Sequence, residues 1–227
     1  MKKIFKIIRN KCKVMKNKPI IGIVDTETSN IKSVFHALSL YDVEVKYISS
    51  SKNYEKIDAM VVPGIGNFGY VMSKLKQNNL DNYIIEKLSK KMPSLFICVG
   101  MQILFSKSYE FGEHKGLNIF EGEVNKISET DLDGKKARNV PFIGWNKIKF
   151  TKNCNYFEDL DINNFFYFTH SYYVQPKDKR IISSTSDYND FEYCSSISSN
   201  NILATQFHPE KSGESGLKIY KNFIKKI

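Results

Sequence analysis

Hydrophobic and polar positions change period several times along the first half of the chain. Ile20-Ile21-Gly22-Ile23-Val24 is a short apolar run ending at Asp25, and Ile31, Val34, Phe35 and Leu38 follow at helical spacing. Val43 to Ile48 alternates as a strand. Ala59-Met60-Val61-Val62 is a further apolar run, ended by a glycine-rich turn at Pro63. The spacing then predicts one helix from about Phe68 to Lys90 and another strand from Leu95 to Cys98. Strands alternating with helices predict an α/β fold whose mostly parallel sheet is flanked by helices. Ligands collect at the carboxyl ends of such strands, where both the Pro63 turn and Cys98 fall.

The second half has a different rhythm. Gly122 to Ile127, Ile143 to Phe150, Phe165 to Thr169, Tyr172 to Val174 and Ile181 to Thr185 read as strands with few helices between them. They predict an antiparallel β extension. Ile202 to Phe207 returns to the sheet, and an amphipathic helix from about Gly213 to Lys225 closes the chain. The serine-rich stretch from Ser195 to Ser199 reads as a loop. No Pro/Gly/Ser-rich linker divides the sequence, so residues 19–227 are expected to form a single domain.

Charge alters this picture only at one end. The formal net charge is +10, but Lys2, Lys3, Lys6, Arg9, Lys11, Lys13, Lys16 and Lys18 carry most of it, with no acid among residues 1–18. That leader reads as a disordered basic extension ahead of a nearly neutral body. Met15 offers an internal start, and Ile4, Phe5, Ile7 and Ile8 among the lysines would also suit a surface-binding helix. Charge confined there points away from nucleic acid as a partner. No apolar stretch approaches the roughly eighteen residues that a membrane span needs. The four cysteines, Cys12, Cys98, Cys154 and Cys194, show neither CxxC nor zinc-ligand spacing, which fits a reducing cytoplasm. Neither a phosphate-binding GxxxxGK nor a complete GxGxxG occurs, so no nucleotide, metal or other cofactor is expected.

The candidate chemistry lies in three segments far apart in sequence. Cys98, between the apolar Ser94-Leu95-Phe96-Ile97 and a helical segment, has the position of a nucleophile on a strand-to-helix elbow. Gln206-Phe207-His208-Pro209-Glu210 supplies an imidazole and a carboxylate two residues apart. On a strand these would share a face, letting Glu210 hold His208 while His208 draws the thiol proton. Pro63-Gly64-Ile65-Gly66 can turn backbone N–H groups towards an oxyanion, joined by the amide of Val99 after the nucleophile. Each feature alone has an ordinary structural explanation, such as an inert buried thiol or a simple turn. Their joint occurrence predicts a Cys98-His208-Glu210 triad. His170, flanked by aromatic residues, reads equally as a core histidine or a pocket residue. His36 and His114 read as structural or exposed.

The segments PGIGNFG (63–69), ICVGMQ (97–102), PFIGWN (141–146), YFTHSY (167–172) and QFHPEKSG (206–213) together resemble one family. They are similar to the glutaminase subunit of imidazole glycerol phosphate synthase, a class I, triad-type glutamine amidotransferase with a flavodoxin-like sheet. The resemblance covers about Ile20 to the C-terminus. It implies hydrolysis of glutamine by Cys98, His208 and Glu210, with Gly66 and Gln102 contacting glutamine and Thr169, His170, Ser171 and Tyr172 lining its pocket. It also implies a heterodimer with a (β/α)₈-barrel cyclase that uses the ammonia in histidine biosynthesis, docked near Trp145. A paralogous role, supplying ammonia for nucleotide-sugar modification in surface polysaccharide synthesis, is the alternative. The chain departs from the family pattern at Phe96, where glycine is usual, at the loop Thr26-Glu27-Thr28-Ser29, and at Phe142, where histidine is common.

Overall fold

The computed structural model describes residues 18–227 apart from 28–30, 52–55, 132, 152–153 and 162. The basic leader up to residue 17 and Thr28-Ser29 of the altered loop therefore lie outside the described residues. In chain order the elements are β1 (Ile20–Val24), α1 (Ile31–Ser39), β2 (Glu44–Ile48), β3 (Ala59–Gly64), α2 (Phe68–Gln77), α3 (Leu80–Ser89), β4 (Ser94–Cys98), α4 (Val99–Gln102), β5 (Phe105–Ser108), β6 (His114–Lys115) and β7 (Phe120–Lys126). They continue with β8 (Phe142–Lys147), β9 (Lys149–Phe150), β10 (Phe165–His170), β11 (Tyr172–Pro176), β12 (Ile182–Tyr188), β13 (Phe191–Ser199), β14 (Ile202–Thr205) and α5 (Gly213–Ile224).

The main sheet runs β2-β1-β3-β4-β14-β13-β12-β9. Its first five strands are parallel, and β13, β12 and β9 extend it antiparallel. The predicted antiparallel half is thus divided. Strands β8 and β10 pair with each other, and β11-β7-β5-β6 form a separate sheet. Every residue of β3, β4 and β14 is buried, as strands covered on both faces must be. Helix α1 packs with α5, while α2 packs with α3 and α4.

Three local expectations are corrected. The helix predicted from Phe68 to Lys90 breaks at Asn78-Asn79, where Asn79 takes a left-handed conformation with φ of 53°. Asparagine tolerates that region and favours a break over helix continuation. The serine-rich stretch is no loop but part of β13. Its hydroxyls are satisfied within the sheet, Ser196 against Ser183 at 2.9 Å and Ser195 against Ser184 at 2.8 Å. Buried polar groups that find such partners no longer argue for exposure. The HPE segment is not on a strand. β14 ends at Thr205, and Pro209–Lys211 form a 3-10 turn.

The end of β4 is the most constrained backbone in the sheet. Phe96 is fully buried between Val62 and Ala204 on the neighbouring strands, and the alanine leaves space for the large ring. A β-carbon on Gly100 would lie 2.1 Å from the Val62 carbonyl oxygen, and one on Gly64 would lie 2.9 Å from the Gly100 nitrogen. Backbone therefore rests directly on backbone where α4 crosses β3. Gly100→Ala must push these elements apart. It should lower unfolding free energy by about 1–3 kcal/mol, the usual cost of overpacking, as read from denaturant titration.

Candidate active site

Cys98 ends β4 with φ 55° and ψ −112°, a conformation that a non-glycine residue adopts only under constraint. The chain turns there from strand into α4, which leaves the sulfur at the carboxyl end of the sheet. The thiol donates to the Thr169 carbonyl at 3.8 Å and accepts from Gln206 Nε2 at 3.7 Å. Gln206 Oε1 in turn accepts from Gln102 Nε2 at 3.1 Å, and that same amide nitrogen donates to the Tyr172 carbonyl at 3.0 Å.

His208 reaches the site from the segment after β14. Its amide donates to the Tyr167 carbonyl at 2.9 Å, and its carbonyl accepts from Ser212 Oγ at 2.6 Å. Helix α5 closes against this turn because Gly216 carries no side chain: a β-carbon there would lie 1.8 Å from Pro209 O. Within the turn, His208 Nδ1–H donates to Glu210 Oε1 at 2.8 Å, and both side chains are buried. The predicted His208–Glu210 pairing thus exists, built by a turn and not by strand alternation. Nδ1 being committed to the carboxylate leaves Nε2 as the nitrogen free for proton transfer.

Two histidines here are driven in opposite directions. Burial opposes a charged His208, but the neighbouring Cys98 sulfur and then the Glu210 carboxylate overcome it and raise the pKa to about 10. Burial lowers His170 to about 4, with the Tyr172 carbonyl partly resisting and the charge of His208 adding to the fall. His170 is therefore neutral. Its Nδ1 lies 2.9 Å from the Tyr172 carbonyl, and Phe142, Phe168 and Tyr193 surround its ring. It is both a core residue and a cavity residue.

A cavity of about 250 Å³ opens beside the sulfur, lined by Ile65, Gly66, Cys98, Val99, Gln102, Glu110, Pro141, Thr169, His170, Ser171 and Tyr172. It gathers most of the residues singled out in the sequence. Gly64 lies beneath it against Val99 and Gly100, and Glu210 supports the site through His208. Glu110, Pro141 and Gln206 were not anticipated. Gln206 belongs to the QFHPE segment and Pro141 opens PFIGWN, so both had a signal, whereas nothing in local spacing marks Glu110. Glu110 accepts from the Phe68 amide at the start of α2 at 2.6 Å, and burial raises its carboxyl pKa against that bond and His114. A larger cavity of about 530 Å³, along β5, β7 and β11, is lined by neither cysteine nor histidine. Chemistry, not size, selects the smaller one. Among the described residues no group of three potential ligands could hold a metal ion, and no helix is long and apolar enough to cross a membrane.

The family described as Glutamine amidotransferase class-I matches residues 22–227, and the chain belongs to that family. It is similar to the protein named imidazole glycerol phosphate synthase subunit HisH 1 of Methanococcus maripaludis, at 39% identity over 211 residues, covering 92% of this chain and 100% of that one. It is likewise similar to imidazole glycerol phosphate synthase subunit HisH of Methanocaldococcus jannaschii, at 41% identity over 205 residues and 90% and 98% coverage. Among solved structures, PurLQS from Thermotoga maritima matches with a TM-score of 0.71 at 17% identity, covering 92% of this chain and 99% of that one. That last likeness is one of fold.

Because the pKa of His208 in the folded protein lies above the ordinary 6.5, the stability it contributes is whole below about pH 6.5 and is lost as pH rises towards 10. In an NMR titration the His208 ring should stay protonated well past neutrality. Cys98→Ala, which removes the main influence raising it, should lower the midpoint by more than about one unit. An unchanged midpoint would exclude the sulfur as the source.

Proposed function

We propose that the chain acts as the glutaminase subunit of an imidazole glycerol phosphate synthase, with Cys98, His208 and Glu210 as its catalytic triad. Supporting this above all is the sulfur of Cys98 at a strained elbow, beside a histidine whose other nitrogen is held by Glu210 at 2.8 Å, with a cavity opening next to it. In this reading the thiolate attacks the side-chain amide carbon of glutamine and forms a tetrahedral oxyanion. His208 Nε2 gives its proton to the departing ammonia, leaving a glutamyl thioester. Water then adds to the thioester with His208 as base, and glutamate leaves as the thiol is restored. Glu210 keeps the tautomer and favours the imidazolium formed midway.

The cavity suits the rest of the substrate. At about 250 Å³ it is small for a ligand cleft and fits an amino acid. Glu110, a buried carboxylate on its wall, is placed to receive the α-ammonium group. Backbone amides of Val99 and of the Gly64-Ile65-Gly66 turn would receive the oxyanion. Gly66, at φ of 101° with open space around it, lets the neighbouring peptide rotate. Losing one such donor typically costs about 2.7–4 kcal/mol of transition-state stabilisation. That is enough to separate a resting from a working state.

A subunit implies a partner. We assign the partner to a (β/α)₈-barrel cyclase in a heterodimer, which would consume the ammonia in making imidazole glycerol phosphate and aminoimidazole carboxamide ribotide for histidine synthesis. The surface offered to it is apolar and next to the triad. Ile143, Trp145 and Phe165 are exposed on paired strands β8 and β10, and Trp145 meets Tyr167, which neighbours His208. The names of the relatives favour histidine synthesis over the polysaccharide alternative.

In the complex, Cys98→Ala should abolish glutamine-dependent synthesis and leave synthesis from added ammonium salt intact. Persisting glutamine hydrolysis at a comparable rate would remove Cys98 from its role. Native chain alone should be a poor glutaminase, accelerated by partner and most by partner with an acceptor analogue. Equal steady-state rates in the three conditions would exclude a partner-driven switch at the Ile65 peptide.

A further inference from the structure

The segment joining β7 to β8 has little secondary structure of its own beyond a bridge between Thr130 and Lys136. It ends at Pro141, on the wall of the cavity, so its position decides the shape of that wall. Arg138 is buried within it, and no carboxylate pairs with its guanidinium among the described residues. Its donors go to backbone carbonyls instead: Nε to Ser128 at 2.7 Å, Nη1 to Asn189 at 2.7 Å and Nη2 to Thr130. The guanidinium also lies over the Phe191 ring, 5.4 Å from its centre. A buried cation without a counter-charge is tolerable only when its donors are occupied in this way, so the contacts resist being exchanged one at a time.

The same segment is bound on either side of Arg138 to the same place. Asn189 Nδ2 donates to the Ala137 carbonyl at 2.7 Å. The Asn139 amide donates to the Tyr188 hydroxyl at 3.1 Å, which donates back to the Asn139 carbonyl at 3.0 Å. Tyr188 and Asn189 belong to the turn of the β12–β13 hairpin. Its loop residues Asn189 and Asp190 both have positive φ, as tight two-residue hairpin turns require. The Tyr188 ring lies against Phe142 at 4.3 Å, and Phe142 meets the edge of His170, the next cavity residue. One turn thus holds Ala137 to Asn139, just before Pro141, through hydrogen bonds, and meets His170 through the ring of Phe142.

We propose that Arg138 and Tyr188 form a strap that fixes the cavity wall, and that they are positioning residues for glutamine hydrolysis. The proposal rests on the glutaminase reading of the cavity. A wall that is not already fixed must be ordered when glutamine binds, and that cost weakens binding and raises KM.

The test uses the complete synthase complex. Tyr188→Phe keeps the ring on Phe142 and removes both hydrogen bonds, while Arg138→Lys keeps the charge and replaces a planar fork with a single point donor. For Tyr188→Phe the glutamine KM should rise about three- to ten-fold, the weight of roughly one net hydrogen bond. Cys98 alkylation by iodoacetamide should quicken, with Cys98→Ala as the blank. Arg138→Lys should do the same more strongly; if it does not fold, Tyr188→Phe decides alone. Unchanged KM and alkylation in a folded Tyr188→Phe protein would overturn the strap, as would a fall in kcat and melting temperature at constant KM. A native complex that consumes no glutamine would instead overturn the glutaminase reading, since alkylation reports the wall independently of turnover.

Discussion

Everything at the site depends on the register in which β3, β4 and β14 lie side by side. Gly64 is opposite Cys98, and Ile97 is opposite both Pro63 and Thr205. The glycine turn, the cysteine and the HPE turn therefore leave the sheet together at one end. A slip of one residue would turn Cys98 to the other face and separate it from His208. Gly100 and Gly64 keep that register tight, since only backbone fits between α4 and β3.

On this frame the protein buries an imidazole and a carboxylate beside a sulfur. Removing them from water is costly unless each group is paired. His208 is held by Glu210 on one side and by its own backbone bonds to Tyr167 and Ser212. His170, a short distance along the cavity wall, has no such carboxylate and is surrounded by rings, so it stays neutral. Two residues of one type thus receive separate charge states from their surroundings, which leaves a single titrating imidazole next to the sulfur.

The cavity wall shows the same economy of support. The segment before β8 folds on itself through Glu129, Asp131 and Arg138, and is tied to the β12–β13 turn through Arg138, Asn139 and Tyr188. Phe142, a departure from the family pattern in sequence, serves here as the aromatic link between Tyr188 and His170. Phe96, another departure, is accommodated because its cross-strand neighbour is Ala204.

By itself the sequence determined the changes of hydrophobic period that define β1, α1 and β4, and the two motifs that carry Cys98, His208 and Glu210, together with the Pro63-Gly64-Ile65-Gly66 turn. These are legible because strand and helix periods and short motifs depend on near neighbours in the chain. Tertiary structure decided what depends on distant ones. The helix break at Asn78-Asn79 is a choice between two locally tolerable conformations. The serines of β13 are buried because Ser183 and Ser184 stand across from them, and Glu110 and Pro141 share a cavity, with Gln206 against the sulfur, only because separate strands and loops converge there. The HPE pair meets in a turn held by Tyr167, Ser212 and Gly216. No local pattern encodes such partners, since the energy that selects them comes from surfaces brought together only when the sheet has formed.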